Sequence, residues 1–99
     1  MDIVYAHLDR RAGLGAQPSG EASEVLGALW AHAMPEDGLE HASVRSQGDR
    51  VDLLMYLLTL DSAAPDFRPG THRADTLLRR CYSTSPLLRR RYLPPSPLG

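Results

Sequence analysis

Apolar groups alternate with a two-residue rhythm from Asp2 to Asp9. Ile3, Tyr5 and the apolar part of His7 fall on one face, and Val4, Ala6 and Leu8 on the other. The rhythm predicts a β-strand, and apolar groups on both faces predict a strand inside a sheet. A loop from Arg10 to Gly20 follows. From Gly20 to Ala33 the spacing changes: Ala22, Val25, Leu26, Leu29 and Ala33 recur at three- and four-residue steps, the stripe of an amphipathic helix. Glu21 and Glu24 sit in its first turn, where carboxylates meet the positive end of the helix dipole. Ser19 is placed to cap it and Pro35 to end it.

The next section, HASVRSQGDRVDLLMYLLTLD, predicts a hairpin with strands His41 to Gln47 and Arg50 to Leu60 around the turn Gly48-Asp49. Ala42, Val44 and Ser46 alternate with Ser43, Arg45 and Gln47, so the first strand has a polar face and belongs near an edge. The second is apolar nearly all round and belongs in the middle. Its many Leu residues would also suit a buried helix; the Gly-Asp turn and the need for strand partners favour the hairpin. After Pro65, Pro69 and Gly70, Thr71 is placed to cap a helix whose apolar face is Ala74, Leu77, Leu78, Cys81 and Tyr82, with Asp75 and Arg79 paired on its flank. Ser85 and Pro86 form the cap and first residue of a short helix reaching Tyr92. The tail LPPSPLG is too rich in proline to be regular and is expected to be extended and flexible.

The order strand, helix, strand, strand, helix, short helix predicts a small α+β domain over residues 1–93, with residues 94–99 as a flexible tail. The expected plan is a ferredoxin-like split βαβ sandwich, its helices on one face of the sheet, with a short helix where a fourth strand could stand. A sheet left open at an edge or face is commonly covered by a second copy, so a homo-oligomer is expected.

Composition adds exclusions. A chain of 99 residues, 42% hydrophobic and 23% charged, suits one globular domain. The start, MDIVYAHLDRRAG, has an acidic second residue and only a short apolar run, so it lacks the basic start and long apolar centre of a secretory signal, and no segment reaches the roughly 20 apolar residues needed to span a bilayer. One cysteine, Cys81, cannot form an internal disulfide. These features point to the cytoplasm and away from membranes.

Charge is strongly segregated. Residues 1–67 carry four Arg against seven Asp and four Glu, a net of -7; residues 68–99 carry seven Arg against Asp75 alone, a net of +6. Such a basic end can dock on the protein's own acidic body, on an acidic partner or on nucleic acid, the last being the weakest case for a slightly acidic domain.

The stretch GLGAQPSGEAS offers the nearest approach to a nucleotide motif. Gly15 and Gly20 have P-loop spacing, but Glu21 and Ala22 stand where Lys and Ser or Thr are needed, and a carboxylate there repels phosphate. Gly13 and Gly15 begin a dinucleotide pattern that Pro18 breaks. The stretch therefore reads as a flexible connection. His7 and Asp9, two apart on a strand, could act as a carboxylate-oriented base. His32, His41 and His72 are scattered, and Cys81 lies on an apolar helix face, so neither a metal nor a cofactor is expected. Arg79, Arg80, Arg89, Arg90 and Arg91, with Tyr92, form the strongest candidate partner-binding surface. The expected function is a small non-catalytic interaction or accessory domain that self-associates and presents this Arg-rich end to an acidic partner. The alternatives are a small enzyme using His7 in a pocket between sheet and helices, and a nucleic-acid-binding regulator.

Overall fold

The computed structural model describes residues 1–12 and 19–98, and the Gly13–Pro18 part of the glycine-rich connection lies outside them. The elements are β1 (Asp2–Asp9), α1 (Glu21–His32), a 3₁₀ turn (Pro35–Asp37), β2 (Leu39–Gln47), β3 (Arg50–Leu57), α2 (Gly70–Thr84) and α3 (Pro86–Arg91). The Leu-rich run is a strand, as the hairpin reading required. It ends at Leu57 rather than Leu60 because its neighbours stop there: Leu57 pairs with Asp2 on one side and Leu39 on the other. Gly48 takes a φ of 49° in the two-residue turn, a backbone that a side chain would strain.

The protein is a small α+β domain built on a three-stranded antiparallel sheet in the order β1-β3-β2. β1 and β2 both run antiparallel to β3, so they are parallel to each other with β3 between them. The apolar β3 is central and the half-polar β2 is at an edge, as their patterns predicted. β1 departs from expectation. Apolar groups on both of its faces pointed to the interior, yet β1 is the other edge strand. Only its even positions are covered: Val4, Ala6 and Leu8 are buried, while Ile3 and Tyr5 are 61% and 47% exposed.

The core lies between the sheet and the helices. Val51, Leu53, Met55 and Leu57 of β3 join the buried residues of β1 beneath Val25 and Leu29 of α1 and Ala74, Leu77, Leu78 and Cys81 of α2. Leu88 and Tyr92 close one end. Two of the expected caps differ. Gly20, in the left-handed region at φ 77°, precedes α1 with no side-chain cap from Ser19. α2 begins at Gly70, one residue before Thr71, with Pro69 at its N-cap. The Ser85 cap is present, its hydroxyl accepting from the Leu88 N–H at 3.3 Å.

The chain beyond α3 returns to the outer edge of β1. Leu93 N–H donates to the Asp9 carbonyl at 2.8 Å, Arg11 N–H to the Arg91 carbonyl at 2.9 Å, and Arg10 and Tyr92 form an antiparallel bridge. This beginning of a strand stops at once, because Pro94, Pro95 and Pro97 have no N–H to continue a ladder. The tail is irregular, as its prolines predicted, but it is docked: Pro95 is buried, Leu98 packs against the core, and the Leu98 N–H reaches the Asp75 carboxylate at 3.3 Å.

Candidate interaction surface

All helices that contact the sheet lie on the side of Val4, Ala6 and Leu8, leaving the opposite face open among the described residues. The register arranges that face in rows across β1, β3 and β2: Ile3, Tyr56 and His41; Tyr5, Leu54 and Ser43; His7, Asp52 and Arg45; Asp9, Arg50 and Gln47. One end is apolar and aromatic, with the His41 and Tyr56 rings 5.2 Å apart, and the other is charged. Asp52 joins the two. Its carboxylate accepts from the Tyr5 hydroxyl at 2.6 Å and pairs with Arg50 Nε at 3.2 Å. The hydrogen bond to Asp52 holds the Tyr5 phenol above its ordinary pKa, since ionising it would set two anions side by side. A shallow groove of about 380 Å³ runs between Tyr5, Ser43, Arg45, Asp52 and Leu54.

His7 and Asp9 do share a side, with Nε2 and Oδ1 3.6 Å apart. That side is the open one. The enzymatic alternative placed His7 in a pocket between sheet and helices; strand parity sends it the other way, and the space under the helices is filled by Leu and Val side chains. Among the described residues no group of three or more His, Cys, Asp or Glu side chains is placed to hold a metal ion. His41 and His72 are exposed, and His32 lies beside the Thr84 hydroxyl. Cys81 is buried, which pushes its thiol up to about 11 and leaves it a packing residue.

The Arg-rich segment is split: Arg79, Arg89 and Arg90 are exposed, Arg80 and Arg91 are half-buried, and Tyr92 points inward. Arg79 pairs with Asp75, Arg80 with the buried Asp37 at 2.8 Å, and Arg91 with Glu24 at 3.4 Å. Arg89 bonds the Ser83 carbonyl. Tyr92 is fully buried and donates to Glu21 at 2.6 Å. Arg90 is exposed and has no carboxylate partner among the described residues. The basic end of the sequence thus docks on the acidic body, one of the routes the charge segregation left open.

Two internal polar clusters had no sequence signal. Glu21, expected only as a helix-dipole residue, is 2% exposed and accepts from Arg10 Nε at 2.7 Å, the Ser46 hydroxyl at 2.7 Å and the Tyr92 hydroxyl. Burial alone would raise its pKa, but these donors outweigh burial and bring it to about 2. Arg73, 1% exposed, donates to the carbonyls of Arg68, Asp37 and Leu58 at 3.1, 2.9 and 2.9 Å and to the Asp2 carboxylate at 3.3 Å. Gly38 makes room for it: at φ 71°, a Cβ there would meet Arg73 Nη1 at 2.8 Å. Both clusters fasten the loops and the chain ends to the body.

No helix among the described residues is long and apolar enough to cross a membrane. Comparison with known proteins gives no match to a family model, to a curated protein or to a solved structure.

Proposed function

We propose that the protein is a small non-catalytic interaction domain of the cytoplasm that associates with a second copy of itself through the uncovered side of its sheet. One observation carries this reading. Ile3, Tyr5 and Leu54 are 61%, 47% and 36% exposed, adjacent across β1 and β3, and continuous with the aromatic pair of Tyr56 and His41. Lone exposed apolar residues are ordinary on a protein surface, but a contiguous patch rimmed by charge is the usual form of an association site. The parallel pair β1 and β2, split by β3 and joined through α1, supports a ferredoxin-like plan. Its fourth strand is reduced to the residues around Leu93, and that reduction leaves the outer edge of β1 unpaired from Ile3 to His7, beside the open face.

An acidic partner remains the second reading, narrowed to Arg89 and Arg90. Both are exposed, and Arg11 lies beside them with its Nε on the Arg89 carbonyl.

Leu54→Glu places a carboxylate at the centre of the open face, next to Asp52, without touching the core. The expected outcome is unchanged far-UV circular dichroism and association weakened at least about tenfold, the equivalent of 1.4 kcal/mol, by sedimentation velocity. Association equal to that of wild type would remove the open face from the contact.

A further inference from the structure

The outer edge of β1 is a half-used template. In this strand the odd residues direct their backbone groups outward, as the Asp9 carbonyl and Arg11 N–H show by bonding to Leu93 and Arg91, while Arg10 N–H turns inward to Asp49. Ile3, Tyr5 and His7 have the same outward parity and no backbone partner on that side among the described residues. The C-terminal segment takes up the Asp9 end and then its prolines lead it away. A groove of about 630 Å³ along Met1, Ile3, Val4, Leu60 and Phe67 keeps the other end accessible.

The two edges of the sheet are not equivalent. β2 carries the devices that discourage edge pairing: a register irregularity between Leu39 and His41, and the polar row Ser43, Arg45 and Gln47. From Ile3 to Leu8, β1 has no bulge, no proline and no Asp, Glu, Lys or Arg, and its pattern is that of an interior strand.

We infer that the occupant of this edge is β1 of a second copy, running antiparallel and centred on Tyr5, so that the two sheets become continuous. This rests on the self-association reading and names its geometry. The free segment Ile3–His7 is its own complement. About a two-fold axis at Tyr5, Ile3 stands opposite His7 of the partner subunit, Val4 opposite the partner's Ala6, and Tyr5 opposite the partner's Tyr5, with no like charges facing each other. Asp2 falls opposite the partner's Leu8, so the acidic ends of the strand stay apart. Every outward backbone group from Ile3 to His7 gains a partner. In this register only the partner's Met1, ahead of its strand, falls opposite Asp9 and has to turn aside from Leu93; a shift by one pair toward Asp9 would drive the strand itself into Leu93. The open faces of the two copies then form one surface, with both Tyr5 rings at its centre.

The test is sedimentation velocity on wild type, Tyr5→Pro, Tyr5→Phe and Leu54→Glu, with oxidative cross-linking of Tyr5→Cys. Tyr5→Pro deletes the central outward N–H and is compatible with an edge strand, whereas Tyr5→Phe keeps the N–H and removes only the hydroxyl. A dimer in wild type and Tyr5→Phe, with a folded monomer in Tyr5→Pro, is the expected result. Should Tyr5→Pro fail to fold, Tyr5→Cys decides: opposite Cα atoms about 5.5 Å apart in such a pair permit a disulfide. Mild oxidation then yields a covalent dimer, while Ser43→Cys on β2 yields none and wild type, with Cys81 buried, serves as the blank. A wild-type dimer that persists in Tyr5→Pro but is lost in Leu54→Glu, or equal cross-linking at positions 5 and 43, overturns edge pairing alone. A wild type that is monomeric at every concentration overturns the self-association reading with it.

Discussion

Arg10→Ala is expected to lower stability by about 3–5 kcal/mol at neutral pH, the usual consequence of leaving a buried charge without its partner. The Glu21 carboxylate would keep its bonds from Ser46 and Tyr92 but lose the one cation paired with it among the described residues. Small domains have about 5–15 kcal/mol in all, so the variant should be close to unfolding. The pH dependence identifies the cause. Glu21 has a folded pKa of about 2 against an ordinary 4.5, so its contribution is fully present above 4.5 and is lost as pH falls toward 2. That difference corresponds to about 3 kcal/mol. In Arg10→Ala the carboxyl pKa rises, and the gap between variant and wild type should therefore narrow as pH falls through that window. Urea denaturation at neutral pH and near pH 3 measures it. A gap below about 1 kcal/mol, the range of an exposed ion pair, would mean that Glu21 is not held as described.

Arg73→Ala is expected to cost a similar amount, about 3–5 kcal/mol, for a different reason. Its guanidinium is the side-chain donor on the Arg68, Asp37 and Leu58 carbonyls, and each buried group left unpaired costs about 1–3 kcal/mol. Arg73→Lys should recover only part of the loss, because a single ammonium cannot reproduce a planar fork that reaches the Pro35–Asp37 turn, the end of β3 and the start of α2 together. Thermal or urea unfolding checks both. Full recovery by Lys would show that charge alone is needed; a change in Arg73→Ala within about 0.5 kcal/mol would class the residue with ordinary surface positions.

These clusters show which parts of the molecule local pattern can reveal. The hairpin around Gly48-Asp49, the stripe of α1, the face of α2 and the Ser85-Pro86 start of α3 depend on neighbours a few residues apart, and all are present where the spacing placed them. Glu21 and Arg73 depend on partners as distant as Tyr92 and Asp2, which no periodicity encodes. The Arg residues of the C-terminal segment were visible as a cluster, but whether they faced a partner or their own carboxylates was a question of tertiary geometry. Arg80 on Asp37 and Arg91 on Glu24 answer it for those two residues, which face the protein's own carboxylates.

β1 is the instructive case. Its pattern is that of a strand with both faces covered, and within one copy it has neither its outer edge nor its odd-numbered face covered. The mismatch is local to Ile3, Tyr5 and His7, the positions where the sheet is bare. A second copy paired along β1 fills that outer edge and gives the strand the interior position its pattern describes, with the odd-numbered face of both copies still open. Elsewhere, at Val4, Ala6 and Leu8, pattern and burial already coincide.

Sedimentation equilibrium of the wild-type protein over a wide concentration range tests this directly. The expected result is a molar mass that rises from that of one chain to that of two and then stays level, as a closed symmetric pair requires. A mass that remains at one chain up to the highest concentration would contradict the account.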